Sequence, residues 1–304
     1  MTRAFFIVGP TAIGKSELAA DVAREVGAEI VSADAFQIYC GLDLLTAKPE
    51  SSTLAIAPHH LIGTVPLTEE MNAEKYRRAA MRGVEEIHSR GKPAIVVGGS
   101  GLYVKALTHG LAPLPESHPK LREKLNSMSL EDLRSQLAEL DPETAQKIDL
   151  KNRRRLVRAL EICLLTAKPV SAQRSRAATS HSEASTGVFV FRDREELYNR
   201  INQRVEAMFK HCVLDEVRAV GPTSATASQM IGLREIRELL AGNKSLPQCI
   251  ADIQQATRRY AKRQLTWFRR QTNFLPLNLS LLTNKEAVKW ISLLIRSETG
   301  TRDD

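Results

Sequence analysis

Apolar positions along this chain follow two periods, and the changes between them mark out the elements. Phe5-Phe6-Ile7-Val8 is a continuous apolar run, short enough for a strand buried on both faces. From Ser16 onward Leu18, Val22 and Val26 recur at helical spacing, and Gly27 is a natural stop. Ala28 to Ser32 reads as a second strand that delivers Asp34 at its C-terminal end. Asn72 to Arg90 predicts a helix with one apolar stripe, ended by Gly91. The segment from Lys92 to Val97 predicts a third strand, running into Gly98-Gly99-Ser100-Gly101 and then a helix from Leu102.

Beyond Leu111 the pattern changes. Pro113, Pro115 and Pro119 punctuate a linker, so a domain boundary is expected there. Leu121 to Leu140 and Asn152 to Leu165 read as helices, and Lys168 to Thr186, small, polar and partly basic, as a mobile loop. Val188 to Phe191 predicts a late strand returning to the first domain. Arg194 to Val220, Gln229 to Leu240 and Gln248 to Arg270 predict three further helices. The expected architecture is α/β: a parallel sheet flanked by helices over 1–112 and 187–304, with a smaller helical insertion over 113–186.

The first strand leads into Gly9-Pro10-Thr11-Ala12-Ile13-Gly14-Lys15-Ser16, a complete G-x-x-x-x-G-K-S between strand and helix. Such a loop presents backbone N–H groups and a helix N-terminus to a small anion. Lys15 is placed to reach a terminal phosphate, and the Ser16 hydroxyl to help hold Mg²⁺. The sheet is therefore expected to be of the P-loop NTPase type, binding a di- or triphosphate. The third strand ends in Gly-Gly-Ser where many P-loop ATPases carry an aspartate for Mg²⁺. That weighs against a hydrolytic motor and suggests close approach of backbone and a small hydroxyl to substrate.

Charge narrows the partner. The chain of 304 residues carries a net +8, unevenly spread. Lys151 to Lys210 holds thirteen basic residues against six acidic, and Arg258 to Arg270 holds six basic and no acid. Two basic stretches on an otherwise acidic chain suggest a polyanion larger than the phosphates at the P-loop. Arg153, Arg154, Arg155 and Arg158 crowd a helix start, where positive charge is unfavourable unless phosphates are bound. Four scattered cysteines without a C-x-x-C pair argue against a zinc site or disulfide framework and fit the cytoplasm. His59 and His60, beside Pro58, have no third ligand at suitable spacing and read as loop or packing residues. No apolar run approaches membrane-spanning length.

A phosphate cradle, a carboxylate one strand away and a basic second region suit two reactions. In a small-molecule kinase, ATP sits in the P-loop and Asp34 takes a proton from an acceptor hydroxyl. In a transferase, the P-loop holds a diphosphate leaving group and Asp34 activates a nucleophile on a nucleic acid. An RNA-binding GTPase or ATPase is a third class, disfavoured by the missing N-K-x-D signature.

GPTAIGKS, SADAFQIYCGLDLLTAKP, VVGGSGLY, RRLVRALEI, IGLREI and TRRYAKRQLTWFR occur in this order and resemble the tRNA dimethylallyltransferase (tRNA isopentenyltransferase) family from Phe5 to Arg269. The resemblance implies transfer of a dimethylallyl group from dimethylallyl diphosphate to N6 of an adenosine beside the anticodon of tRNA, with Mg²⁺ as cofactor. It implies Asp34 as general base, with Ser100, Lys15 and Arg204 completing the catalytic group and Gly9 to Ser16 holding the diphosphate. By the same matching Asp34, Ala35, Phe36, Gln37, Ser100, Arg122, Arg154, Arg155, Arg158, Met230, Gly232 and Arg234 would contact the anticodon stem-loop. Ser16 and Ser100 stand where threonine is usual, and Leu233 where tyrosine is common. A monomer acting in the cytoplasm, away from membranes, is the expectation. The related adenylate isopentenyltransferases use free AMP or ATP as acceptor, and the basic stretches argue against that variant.

Overall fold

The computed structural model describes residues 4–112, 114–177 and 185–299. They cluster into two compact units, Met1–Thr108 with Ala184–Asp304, and His109–Glu183.

The first unit is built on six strands: β1 (Ala4–Val8), β2 (Glu29–Ser32), β3 (His59–His60), β4 (Ala94–Gly98), β5 (Gly187–Phe191) and β6 (Leu275–Asn278). Their order is β3-β2-β4-β1-β5-β6, and every pairing is parallel. The continuous apolar runs of β1 and β4 occupy the centre, where both faces are covered. Successive residues feed opposite layers. Phe6, Val8, Val31, Val96 and Phe189 pack into one core, and Phe5, Ile7, Ile30, Ile95 and Val190 into the other.

Helices cover both faces. Of α1 (Lys15–Val26), α2 (Ser51–Leu54), α3 (Ala73–Ser89) and α4 (Gly101–Thr108), α1 packs on the Ile7 face and α3 and α4 on the Phe6 face. Asn72 caps α3 by accepting the Glu74 and Lys75 N–H groups. The second unit comprises α5 (Pro119–Ser127), α6 (Leu130–Leu140), α7 (Pro142–Lys147), α8 (Arg153–Thr166) and α9 (Val170–Ala177). They enclose a core of their own around Leu133, Leu137, Leu156 and Leu160. The chain then returns with α10 (Arg194–Lys210), α11 (Val213–Arg218), α12 (Leu233–Leu240), α13 (Leu246–Gln271) and α14 (Asn284–Thr299). α14 joins the Ile7-side core through Ala287, Ile291 and Ile295.

Four expectations need correction. The helix expected from Arg194 to Val220 is two helices, because Cys212 takes a left-handed conformation at φ 65°. Its apolar stripe, Leu197, Ile201, Val205 and Met208, resumes one residue late at Val213, so a single helix could not bury both halves. The stretch Leu121 to Leu140 breaks at Met128, where Ser129 and Asp132 form a capping box. The loop expected over 168–186 contains α9, while 178–184 lies outside the described residues. Gln229 belongs to a short 3-10 turn, Ala227–Gln229, and α12 opens only at Leu233.

Candidate active site

The strand order brings three loops to one edge. β4 lies between β1 and β2, so the ends of β1, β4 and β2 are neighbours at the carboxyl edge, where ligands bind in open α/β sheets. Hydrogen bonds continue past the strands and fix the register. Gly9 N–H donates to the Gly98 carbonyl at 3.3 Å, Ala33 N–H to Val97 at 2.7 Å, and Ser100 N–H to Ala33 at 3.1 Å. The glycines of the β4 turn serve this packing. A Cβ at Gly98 would lie 2.2 Å from the Ala33 carbonyl oxygen, one at Gly99 2.3 Å from Gln264, and one at Gly101 2.5 Å from the Trp267 ring. The turn thus packs backbone to backbone against Ala33 and against the side chains of Gln264 and Trp267.

The phosphate loop is held by cations on its carbonyl side. Lys15 Nζ donates to the Pro10 carbonyl at 2.5 Å, Arg200 Nε to Ala12 at 2.8 Å and Arg192 Nε to Ile13 at 2.9 Å. Arg204 Nη1 donates to Thr11 Oγ1 at 2.9 Å, and Thr11 N–H to Gln264 Oε1 at 2.9 Å. Ala12 and Gly14 take left-handed φ values of 67° and 88°. Among the described residues the N–H groups of Ala12, Ile13 and Gly14 donate to no acceptor. Free amides in such a turn, at the start of α1, form a nest for an anion.

The electrostatics match that reading. Burial pushes the Lys15 ammonium down to about 8, with Arg204 adding to the effect and Asp34 and Glu17 opposing it. Burial also lowers Arg204, against the pull of Asp34, and its Nε is buried with no hydrogen-bond partner. A desolvated cation, an unpartnered guanidinium Nε and three free amides lie together here, groups that an anion would satisfy.

Asp34 stands across the β4 turn from this loop. Its Oδ1 accepts the Phe36 and Gln37 N–H groups at 2.9 and 3.3 Å, an Asx-type turn that fixes the carboxylate. Oδ2 has no hydrogen-bond partner among the described residues. Ser100 Oγ accepts the Ala35 N–H at 2.8 Å and so pins the residue next to Asp34. A cleft opens between them. Thr11, Asp34, Phe36, Arg204 and Tyr260 line one part, and Leu45, Val205, Met208, Met230, Ile231 and Ile253, with Thr46 and Thr257, the rest. The Tyr260 phenol is pushed up by burial and by the Asp34 charge, while Ser100, Arg263 and Gln264 pull it back.

The remaining expected positions divide by location. Gln37 holds the loop beyond it, donating from Nε2 to the Ala47 carbonyl at 2.7 Å, and Glu216 takes the Leu44 and Leu45 N–H groups at 2.9 Å. Met230 lines the cleft. Gly232 takes a left-handed φ of 97° that disfavours a side chain, and a Cβ there would lie 2.8 Å from the Leu45 side chain. Arg234 is exposed and paired with Glu235 at 3.0 Å. Leu233 is buried in the Phe6-side core. In the second unit, Glu161 is fully buried and receives Arg122 at 3.0 Å and Arg158 at 2.6 Å. Arg154 and Arg155 are exposed at the start of α8, where Asn152 supplies the cap. Arg192, in the loop after β5, and Gln264 carry no local signal; Arg200, four residues before Arg204 on one helix face, and Tyr260, an aromatic among arginines, show their places only once α10 and α13 bring them to the phosphate loop and cleft.

Ser16, in the first turn of α1, is half-buried, and its hydroxyl has no hydrogen-bond partner among the described residues. One hydroxyl beside an anion cradle suits Mg²⁺, which takes its other ligands from phosphate oxygens and water. His59 Nδ1 instead meets the Ala57 carbonyl at 2.7 Å, and His60 Nε2 meets Glu29 at 2.8 Å. Among the described residues no helix is long and apolar enough to cross a membrane.

Comparison with known proteins identifies the family. The family model described as IPP transferase matches residues 37–271, a range that opens just past the phosphate loop and Asp34. The chain is 43% identical over 270 residues to tRNA dimethylallyltransferase 1 of Citrifermentans bemidjiense, covering 87% of this chain and 88% of that one. It is 42% identical over 266 residues to tRNA dimethylallyltransferase of Akkermansia muciniphila, covering 88% and 90%. The crystal structure of tRNA isopentenylpyrophosphate transferase from Bacillus halodurans is similar at TM-score 0.70 and 32% identity, over 98% of this chain and 96% of that one.

Proposed function

The chain belongs to the IPP transferase family, and from that premise we propose that it transfers a dimethylallyl group from dimethylallyl diphosphate to N6 of an adenosine beside the anticodon of tRNA. The observation that carries the reading is the anion site, with the free amides of Ala12, Ile13 and Gly14 beside Lys15 and Arg204, facing Asp34 across one strand.

The chemistry follows from those groups. The adenine N6 lone pair forms the new bond to C1 of the prenyl group as the C1–O bond breaks. The bond's electron pair leaves with the diphosphate, and the N6 proton passes to Asp34 Oδ2 and then to solvent. An adenine amine is a weak nucleophile, so a fixed carboxylate at that nitrogen lowers the barrier. Charge growing on the leaving diphosphate is met by the loop amides, Lys15 and Arg204, which are already oriented and partly desolvated. Ser16 would hold Mg²⁺ together with diphosphate oxygens, and the ion would supply further positive charge to the leaving group. The apolar part of the cleft, Leu45, Val205, Met208 and Ile253, suits a five-carbon prenyl chain. The target base leaves its stack to reach Asp34, at a cost of about a few kcal/mol. Arg154 and Arg155 supply phosphate contacts from the second unit.

In this reading the protein works as a monomer in the cytoplasm, and its four cysteines, all unpaired, suit a reducing compartment. The test is incubation with unmodified tRNA, Mg²⁺ and labelled dimethylallyl diphosphate, with labelled ATP in a parallel tube. Prenyl label in tRNA, and none from ATP, is the expected result. Phosphate passed from ATP to a small acceptor, without prenyl transfer, would move the chain to the kinases.

A further inference from the structure

Gln264 lies in the C-terminal part of α13, 5% exposed, and spans two loops on which the reaction depends. Its Oε1 accepts the Thr11 N–H at 2.9 Å and its Nε2 donates to the Gly99 carbonyl at 2.8 Å. The partners fix the amide's orientation, since an N–H requires the oxygen and a carbonyl requires the nitrogen. Reversing the amide would make both contacts repulsive. The amide packs directly on the turn, because a Cβ at Gly99 would lie 2.3 Å from Nε2. Thr257, buried on the same helix, spends its hydroxyl on its own helix at Ile253, 2.7 Å away. Gln264 spends both ends of its side chain on other segments.

Each partner continues toward one half of the site. Thr11 carries Arg204 on its hydroxyl, and Gly99 precedes Ser100, whose Oγ holds the Ala35 N–H next to Asp34. One side chain therefore joins the diphosphate cradle to the base. With its N–H taken by Gln264, Thr11 serves the cradle through its hydroxyl and Arg204, and the free amides begin at Ala12.

We propose that Gln264 is a positioning residue that sets the separation between the diphosphate cradle and Asp34, an inference that rests on the transfer reading above. A misplacement of about 1 Å between reacting groups costs about a hundredfold in rate, and loss of this bridge frees both loops at once.

The test uses Gln264→Met, of similar length without hydrogen bonds, and Gln264→Glu. The methionine variant is expected to lower kcat on tRNA by about a hundredfold and to raise KM for dimethylallyl diphosphate. Without any substrate, amide exchange of the peptide spanning Gly9 to Ser16 should quicken while that of α3 stays unchanged. In the glutamate variant a protonated acid reproduces both roles, accepting from Thr11 through its carbonyl and donating to Gly99 through its O–H. Its kcat relative to wild type should therefore rise as pH is lowered from about 8 to about 6, since burial raises a carboxyl pKa into that range. Wild-type kcat, KM and loop exchange in Gln264→Met, or a glutamate-to-wild-type ratio that is flat with pH, would overturn the assignment. If wild type itself transfers no prenyl group, the transfer reading fails, and the exchange measurement still decides whether Gln264 holds the loop.

Discussion

Arg204 and Thr11, 193 residues apart in sequence, meet at 2.9 Å between Nη1 and Oγ1. The contact brings a buried guanidinium with an unpartnered Nε to the phosphate loop. Leaving such a group unsatisfied is costly, and a diphosphate would satisfy it. Arg204→Ala is expected to reduce kcat/KM for dimethylallyl diphosphate by about 10²- to 10³-fold. Arg204→Lys should recover only part of the loss, because an ammonium cannot hold Thr11 and a phosphate oxygen in one planar fork. Steady-state kinetics with the diphosphate as varied substrate checks both, and equal activity of the lysine variant and wild type would refute this role for the guanidinium.

Asp34→Asn separates chemistry from folding. The asparagine carbonyl still accepts the Phe36 and Gln37 N–H groups, so the turn that Oδ1 makes is preserved. The proton acceptor is lost. Single-turnover transfer should fall by about 10²- to 10⁴-fold, while filter binding of tRNA and the unfolding midpoint stay close to wild type. A matching loss of tRNA affinity would make Asp34 a binding residue instead.

Lys15 sets a pH limit. Its ammonium, held at about 8 in the free protein, loses its proton as pH rises through that value, so affinity for dimethylallyl diphosphate should fall above about pH 8. Between about 8 and the ordinary lysine value of 10.5 the unfolded chain binds the proton and the folded chain does not, so this group favours folding increasingly across that window. Diphosphate affinity and thermal stability measured over that range should therefore move in opposite directions, and in Lys15→Met both trends should flatten. Parallel trends in wild type would point to another titrating group.

The strand–loop–helix at Gly9 to Ser16, the strand ahead of Asp34 and the glycine turn after β4 were all legible, because each is local: an apolar run, a period, a glycine cluster. The capping box at Ser129 and Asp132 was equally local and was passed over within a longer apolar pattern. Arg192, Arg200, Tyr260 and Gln264 could not be found that way. Their roles exist only once β5 lies beside β1 and α13 crosses the carboxyl edge, and nothing in helical periodicity distinguishes a glutamine facing a loop from one facing water. Arg122 and Arg158 show the converse. Family resemblance implied RNA contact for both, and tertiary structure adds a pairing with Glu161 that no local pattern announces.

Glu29 provides a stability test remote from the chemistry. It is 3% exposed on β2 and receives Arg90, Lys92 and His60. The Arg90 hydrogen bond, aided by His60 and Lys92, holds its carboxyl at about 2 against the opposing effect of burial. A depressed carboxyl stabilises the fold above its unfolded pKa, and that contribution is lost as pH falls from about 4.5 toward about 2. Glu29→Gln removes the carboxylate that these cations share and should lower stability at neutral pH. Urea unfolding of both proteins should give curves that converge as the solution is acidified; a constant difference down to pH of about 2 would exclude this carboxylate as the source.

The arginines of the second unit separate by partner. Arg122 and Arg158 neutralise a fully buried glutamate, whose oxygens they reach at 3.0 and 2.6 Å, so removing either leaves Glu161 short of a cation in a small core. Arg122→Ala and Arg158→Ala should therefore lower the unfolding midpoint of the protein. Arg154 and Arg155, exposed in the first turn of α8 where no acid offsets them, carry no such duty. Arg154→Ala with Arg155→Ala should leave the midpoint in place, or raise it slightly by relieving positive charge at a helix N-terminus. The same double variant should weaken tRNA binding and reduce the slope of log affinity against log salt by about one for each phosphate that is no longer neutralised. Binding measured at three or more salt concentrations distinguishes the two sets. An unchanged salt slope in the Arg154 and Arg155 variant would assign the polyanion surface to the basic stretch of α13 instead.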